Sequence, residues 1–202
     1  MILSHFWGLI TEPDSQWSHL RESSHGLIRL YLGQIIWIAA LPAVCTYIGT
    51  TRVGWSLPGS DQVVRLTPDS AAWMAGLAWL AIIAGVMVMS WFMRWLSTNF
   101  DSTPSLTDCT AFTMYTAVPL FIAGLFGLYP SIWLAIMAGI LASSGTAYLL
   151  YSGLPIFMKI PKEQGFIYSS SVLCIGLVVL VSIMITTVIF WGMGVGPEYI
   201  QD

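Results

Sequence analysis

The sequence predicts an all-α integral membrane bundle of five transmembrane helices, preceded by a short amphipathic helix at the N-terminus. Three observations carry that expectation. Of the 202 residues, 56% are hydrophobic and 8% are charged, against about 25% charged in a soluble domain. The 50 residues from Cys109 to Met158 contain no Asp, Glu, Lys, Arg or His. About 20 apolar residues cross a bilayer, so that run holds two crossings, with a turn at Gly127-Leu128-Tyr129-Pro130. Ten Trp and eight Tyr, finally, suit rings seated at the headgroup level.

The elements follow in order. Residues 1–29 form a cytoplasmic amphipathic segment. Thr11 can cap a helix there, Pro13 fits its first turn, and Glu12 and Asp14 favour its positive end. Trp17, Leu20 and Arg21 recur at helical spacing, which predicts a helix lying in the membrane interface; a solvated arm is the plainer alternative. No cleavable leader is expected, because the first residues lack a basic stretch and a continuous apolar run.

The transmembrane domain covers 30–193, with spans at about 30–49, 71–96, 106–128, 131–153 and 169–193. Pro42 sits inside the first span and Pro119 near the middle of the third, where each removes a backbone donor. Residues 50–70 form a polar loop with Pro58, Gly59 and Pro68. Trp91, Arg94 and Trp95 close the second span as an interface cluster. Residues 154–167 make a polar connection, and Ser169, Ser170 and Ser171 are placed to cap the fifth span. Residues 194–202 form a short external tail.

Charge assigns the sides. With the N-terminus inside, the inner segments hold Arg21, Arg29, Arg94, Lys159 and Lys162, and the outer ones only Arg52 and Arg65. Positive residues favour the cytoplasm, so the expected N-terminus is cytoplasmic and the C-terminus periplasmic. The seven Lys and Arg are scattered and the net charge is −3. No basic patch exists to attract nucleic acid.

Two constellations stand out within the spans. Ala135, Gly139, Ser143 and Ala147 recur every four residues and form a helix-packing stripe of small side chains. In lipid such stripes let backbones approach closely. Packing within one subunit is the plainer use; a homo-oligomer seam is the sharper one. Tyr115 and Pro119 share a face of the third span, Tyr129 marks the turn, and Tyr148, Tyr151 and Pro155 close the fourth. Buried phenols want partners and prolines free carbonyls, so these six residues are the candidate pocket or pathway. Kinks with interfacial aromatics are the plainer account.

Catalytic and metal chemistry find little support. Every Asp, Glu, Lys and Arg falls outside the span cores, which disfavours proton-coupled transport through one subunit. His19, Glu22 and His25 spread over about 120° of a helix, loose for one metal, and read as chance residues of a polar arm. Cys45, Cys109 and Cys174 are odd in number and form no CxxC pair, which points to buried free thiols. No serine-nucleophile elbow, phosphate loop or HExxH motif occurs, and nothing pairs Asp61, Asp69, Asp101 and Asp108. No catalytic residue, cofactor or metal is therefore expected.

The residues also resemble a known family. Trp7-Gly8-Leu9 with Pro13, Ile48-Gly49-Thr50-Thr51 with Gly54-Trp55, Pro104-Ser105-Leu106 and Val118-Pro119-Leu120-Phe121 carry the likeness. So do Leu128-Tyr129-Pro130, Tyr148-Leu149-Leu150-Tyr151 with Gly153 and Pro155, and Lys162-Glu163 with Gly165. Together they resemble the bacterial branch of the Yip family, the YohC-like multipass inner-membrane proteins. The resemblance implies five transmembrane helices and a cytoplasmic N-terminus. It supplies no catalytic residues, and the long cytosolic region of eukaryotic relatives has no counterpart here. The expected role is non-enzymatic, in membrane organisation or envelope homeostasis. The expected contacts are the lipid bilayer, a second copy of the chain as homo-oligomer, or other membrane proteins. The alternative is a transporter or channel for a small ion or lipid.

Overall fold

A computed structural model describes residues 13–22, 31–56, 62–100, 102–194 and 196–200. Helix α1 spans Pro13–Glu22 and α2 spans Ile36–Ile48, the latter flanked by π-helical turns at Tyr31–Ile35 and Gly49–Val53. Short strands β1 (Trp55–Ser56) and β2 (Val63–Leu66) lead into α3 (Pro68–Ser97). Then come α4 (Leu106–Thr116), α5 (Val118–Gly124) with a 3₁₀ turn at Leu125–Leu128, α6 (Ile132–Met158), α7 (Lys162–Gly192) and β3 (Tyr199–Ile200).

Among the described residues, four helical segments are long and apolar enough to cross a membrane: Gly33–Val53, Pro68–Phe100, Ile132–Met158 and Lys162–Gly192. The fifth is broken. Leu106–Thr116 and Val118–Leu128 meet at an angle of 46°. Pro119 has no N–H to return to the Tyr115 carbonyl, and the Leu120 N–H turns to the Ala117 carbonyl at 3.0 Å. The result is an all-α membrane bundle, as expected.

Local chemistry sets the helix limits. Thr67 Oγ1 accepts the Ser70 N–H at 3.4 Å and Pro68 occupies the first turn of α3. Ser105 and Asp108 form a reciprocal capping box at the start of α4: Asp108 N–H donates to Ser105 Oγ at 3.1 Å, and Ser105 N–H donates to Asp108 Oδ2 at 3.0 Å. Helix α6 continues through Pro155 to Met158 and stops where Lys159 turns left-handed at φ 55°.

Two expectations change here. The connection expected over 154–167 shrinks to Lys159–Pro161, because α7 starts at Lys162. Ser170 and Ser171 are not caps; their hydroxyls donate to the Phe166 and Ile167 carbonyls one turn back. That bond satisfies a hydroxyl inside a helix, so the serines do not end it. The loop over 50–70 and the tail, in turn, build a sheet of order β1-β2-β3. Trp55 pairs with Val64, and Arg65 with Ile200. The Thr67 N–H adds a bond to the Glu198 carbonyl at 2.9 Å.

Helix α3 packs on α2, α4 and α7, while α6 packs on α5, α4, α7 and α1. Every residue from Cys109 to Thr116 is buried, so α4 is enclosed on all sides. Its threonines satisfy themselves: Thr110, Thr113 and Thr116 donate to the carbonyls of Leu106, Cys109 and Phe112. Long bonds pin the outer helices. Tyr168 Oη donates to the Met93 carbonyl at 2.6 Å, and Trp79 Nε1 to the Ile36 carbonyl at 3.0 Å.

Candidate functional site

The six residues of the expected pocket are distributed over both ends of the bundle. Tyr115 lies in the buried core and Pro119 at the break, where a Cβ on Gly145 of α6 would stand 3.4 Å from its ring. Tyr151 and Pro155 lie near the other end of α6. Tyr151 Oη shares a hydrogen with Ser170 Oγ at 2.8 Å, and Pro155 lies against Gly165. Tyr148 faces outward, as does Tyr129, just before the first turn of α6. Twenty-two residues separate Tyr129 from Tyr151, about 33 Å along a helix. Tyr129 and Tyr151 therefore stand far apart along the α6 axis, while Tyr115 belongs to the core cluster that holds Leu149 and Leu150 of that helix.

The stripe on α6 turns outward. Ala135, Gly139 and Ser143 are exposed, Ala147 is half-buried, and a Cβ on Gly139 would meet nothing within 4 Å. The face that packs within the chain runs through Ala138, Ala142 and Gly145 instead. Close backbone contact occurs elsewhere. A Cβ on Gly49 would collide with the Gly127 carbonyl, and one on Gly124 would lie 2.6 Å from Pro42 Cβ. The Pro42–Gly49 segment and the α5 arm are therefore packed nearly backbone to backbone.

Helix α7 changes character along its length. Gly165, Tyr168, Ser169 and Val172 are buried. From Val181 to Gly194 every residue is exposed. Cys174 lies on this helix and is exposed, unlike Cys45 and Cys109, so one of the three thiols expected to be buried is not.

Sequence reasoning missed the chief contact of α1. Trp17 is fully buried and Leu20 nearly so. The indole packs against Phe112 at 4.9 Å between ring centroids and edge-on to Phe157 at 6.0 Å. A Cβ on Gly153 would clash with the indole, against Cε2 and 2.6 Å from Cζ2. The Arg21 guanidinium stands 6.0 Å from the centre of the Phe157 ring. Burying a Trp removes about 150–250 Å² from water, a gain of about 4–6 kcal/mol. Against it, Trp17 Nε1 is buried and has no acceptor among the described residues. An orphan donor costs about 1–3 kcal/mol. The apolar side chains of α1 are thus spent on the bundle rather than left for lipid headgroups.

No group of three His, Cys, Asp or Glu among the described residues is placed to hold a metal. Asp108 is engaged in its capping box and Asp69 sits in the first turn of α3. His25, Thr11, Asp61 and Asp101, and the side chains of His19 and Glu22, lie outside the described residues.

The family model for the Yip1 domain matches residues 7–183. The chain belongs to the Yip1 family. Two Yip1-family relatives are the inner membrane protein YohC of Escherichia coli strain K12 and that of E. coli O6:H1 strain CFT073. Each is 38% identical over 192 residues, covering 95% of this chain and 98% of the relative. No solved structure matches this Yip1-family chain significantly.

Proposed function

We propose that the chain is a non-enzymatic, multipass protein of the bacterial inner membrane that acts in membrane organisation or envelope homeostasis. Its working surfaces are its outward helix faces, which meet lipid, other membrane proteins or a second copy of the chain. The observation that carries this is the outer half of α7, exposed on every side from Val181 to Gly194. The outward small-residue row on α6 adds a second face suited to helix contact. The orientation rests on charge. Arg21, Arg94, Lys159 and Lys162 gather toward the end of the bundle where Ser102 Oγ donates to the Met158 carbonyl. Arg52 and Arg65 mark the end with the sheet. The N-terminus is therefore assigned to the cytoplasm and the C-terminus to the periplasm.

Native mass spectrometry from mild detergent tests the reading. Species heavier than the monomer, or monomers retaining phospholipid, are expected, and Gly139→Leu is expected to lower the heavier fraction. Bare monomers only, for both proteins, would remove the proposal.

A second reading, a transporter or channel for a small ion or lipid, is favoured by the break between α4 and α5. Broken helices line substrate paths in many transporters, and Thr146 Oγ1 is buried with no partner among the described residues. Ion flux and lipid exchange in proteoliposomes no faster than in empty vesicles would sink it.

A further inference from the structure

We propose that α1 is a detachable lid on the interface between α4 and α6, latched by Trp17. The latch is a side chain brought in from outside the spans. Past Pro13, the apolar residues of α1 are Trp17 and Leu20, and both are buried against the bundle. Among the described residues, Trp17 is held by shape and ring contacts. Its ring fills the space that Gly153 leaves by lacking a side chain, between Phe112 and Phe157. Its one polar side-chain atom, Nε1, finds no acceptor among the described residues. Lifted off, the same N–H meets water or headgroup oxygens, where indoles are well placed. Docking thus gains apolar contact and gives up a hydrogen bond, which is the balance a reversible latch needs.

Deeper along α6 from the docked indole lies another unsatisfied polar atom. Thr146 lies seven residues before Gly153 on α6, two turns deeper on nearly the same face. Its hydroxyl, like Trp17 Nε1 and Gln34 Oε1, is buried without a partner among the described residues. Beyond it lie Gly145 and Pro119 at the break of the third span. Release of Trp17 therefore opens the Met158 end of a face that leads to that break.

The test uses the full chain in detergent or nanodiscs, with Leu20→Cys as a reporter for a water-soluble maleimide and mass spectrometry to locate the label. Slow labelling is expected in the otherwise unchanged chain. Gly153→Ala strengthens the helix by propensity yet places a methyl in collision with the indole of Trp17. It is expected to speed labelling at least ten-fold while native mass and helix content stay constant. Trp17→Ala, the companion variant, is expected to do the same. Equal rates with and without these changes would overturn the lid. So would complete protection of Cys at position 20 over hours in the otherwise unchanged chain. Loss of the folded transmembrane domain in both variants would also overturn it, by making α1 a fixed part of the core.

Discussion

The contact between α2 and the α5 arm and the outward row on α6 use the same residue chemistry to opposite ends. In the first, Gly49 meets the Gly127 carbonyl and Gly124 meets Pro42, so a single added carbon has nowhere to go. In the second, Ala135, Gly139 and Ser143 face away from the chain, and Gly139 has open space around it. Both are series of small residues on apolar helices. The difference shows that such a series states only that a close approach is permitted. The rest of the fold decides whether the partner belongs to the same chain.

The comparison can be broken most sharply at Gly49. Gly49→Val drives a branched side chain into a backbone carbonyl, and a loss of about 4 kcal/mol or more is expected. Denaturant titration in detergent, followed by helix circular dichroism, reads it; an unchanged midpoint would dissolve the contrast. Gly124→Ala adds one methyl against Pro42 and should cost about 1–3 kcal/mol in the same titration. Tyr168→Phe leaves the packing and removes only the bond to the Met93 carbonyl, for about 1 kcal/mol. Gly139→Leu, on the outward row, should change monomer stability by less than about 0.5 kcal/mol. A large destabilisation there would show that the row packs within the chain after all.

Much of the fold was legible because lipid imposes strict terms. A run of 50 residues without a charge leaves few alternatives to a helical hairpin, and Pro119 marked the break. The capping box at Ser105 and Asp108 did not show, although its spacing is a standard one. The start of α7 did not show, since serines that can cap a helix can also bond back inside one. The sheet did not show because its strands are two to four residues long and one lies at the far end of the chain. The Trp17 contact stayed hidden for a similar reason. A polar decapeptide with one indole reads as a surface helix until the gap at Gly153 is seen. The relative heights of Tyr115, Tyr129 and Tyr151 did not show, because spacing fixes a face of one helix and not the height or face of its neighbours.

The pairing of β2 with β3 acts as a parity constraint on the membrane crossings. Arg65 lies beside Ile200, so residues on either side of α3 to α7 must emerge on one side of the bilayer. Only an even number of crossings satisfies that. Helices α3, α6 and α7 supply three, and the bent α4–α5 pair must supply the fourth. A re-entrant loop at Ala117 would leave the tail on the wrong side and the strands apart. The β2–β3 ladder, far from the break, thus fits a broken helix that traverses the bilayer and five crossings for the whole chain.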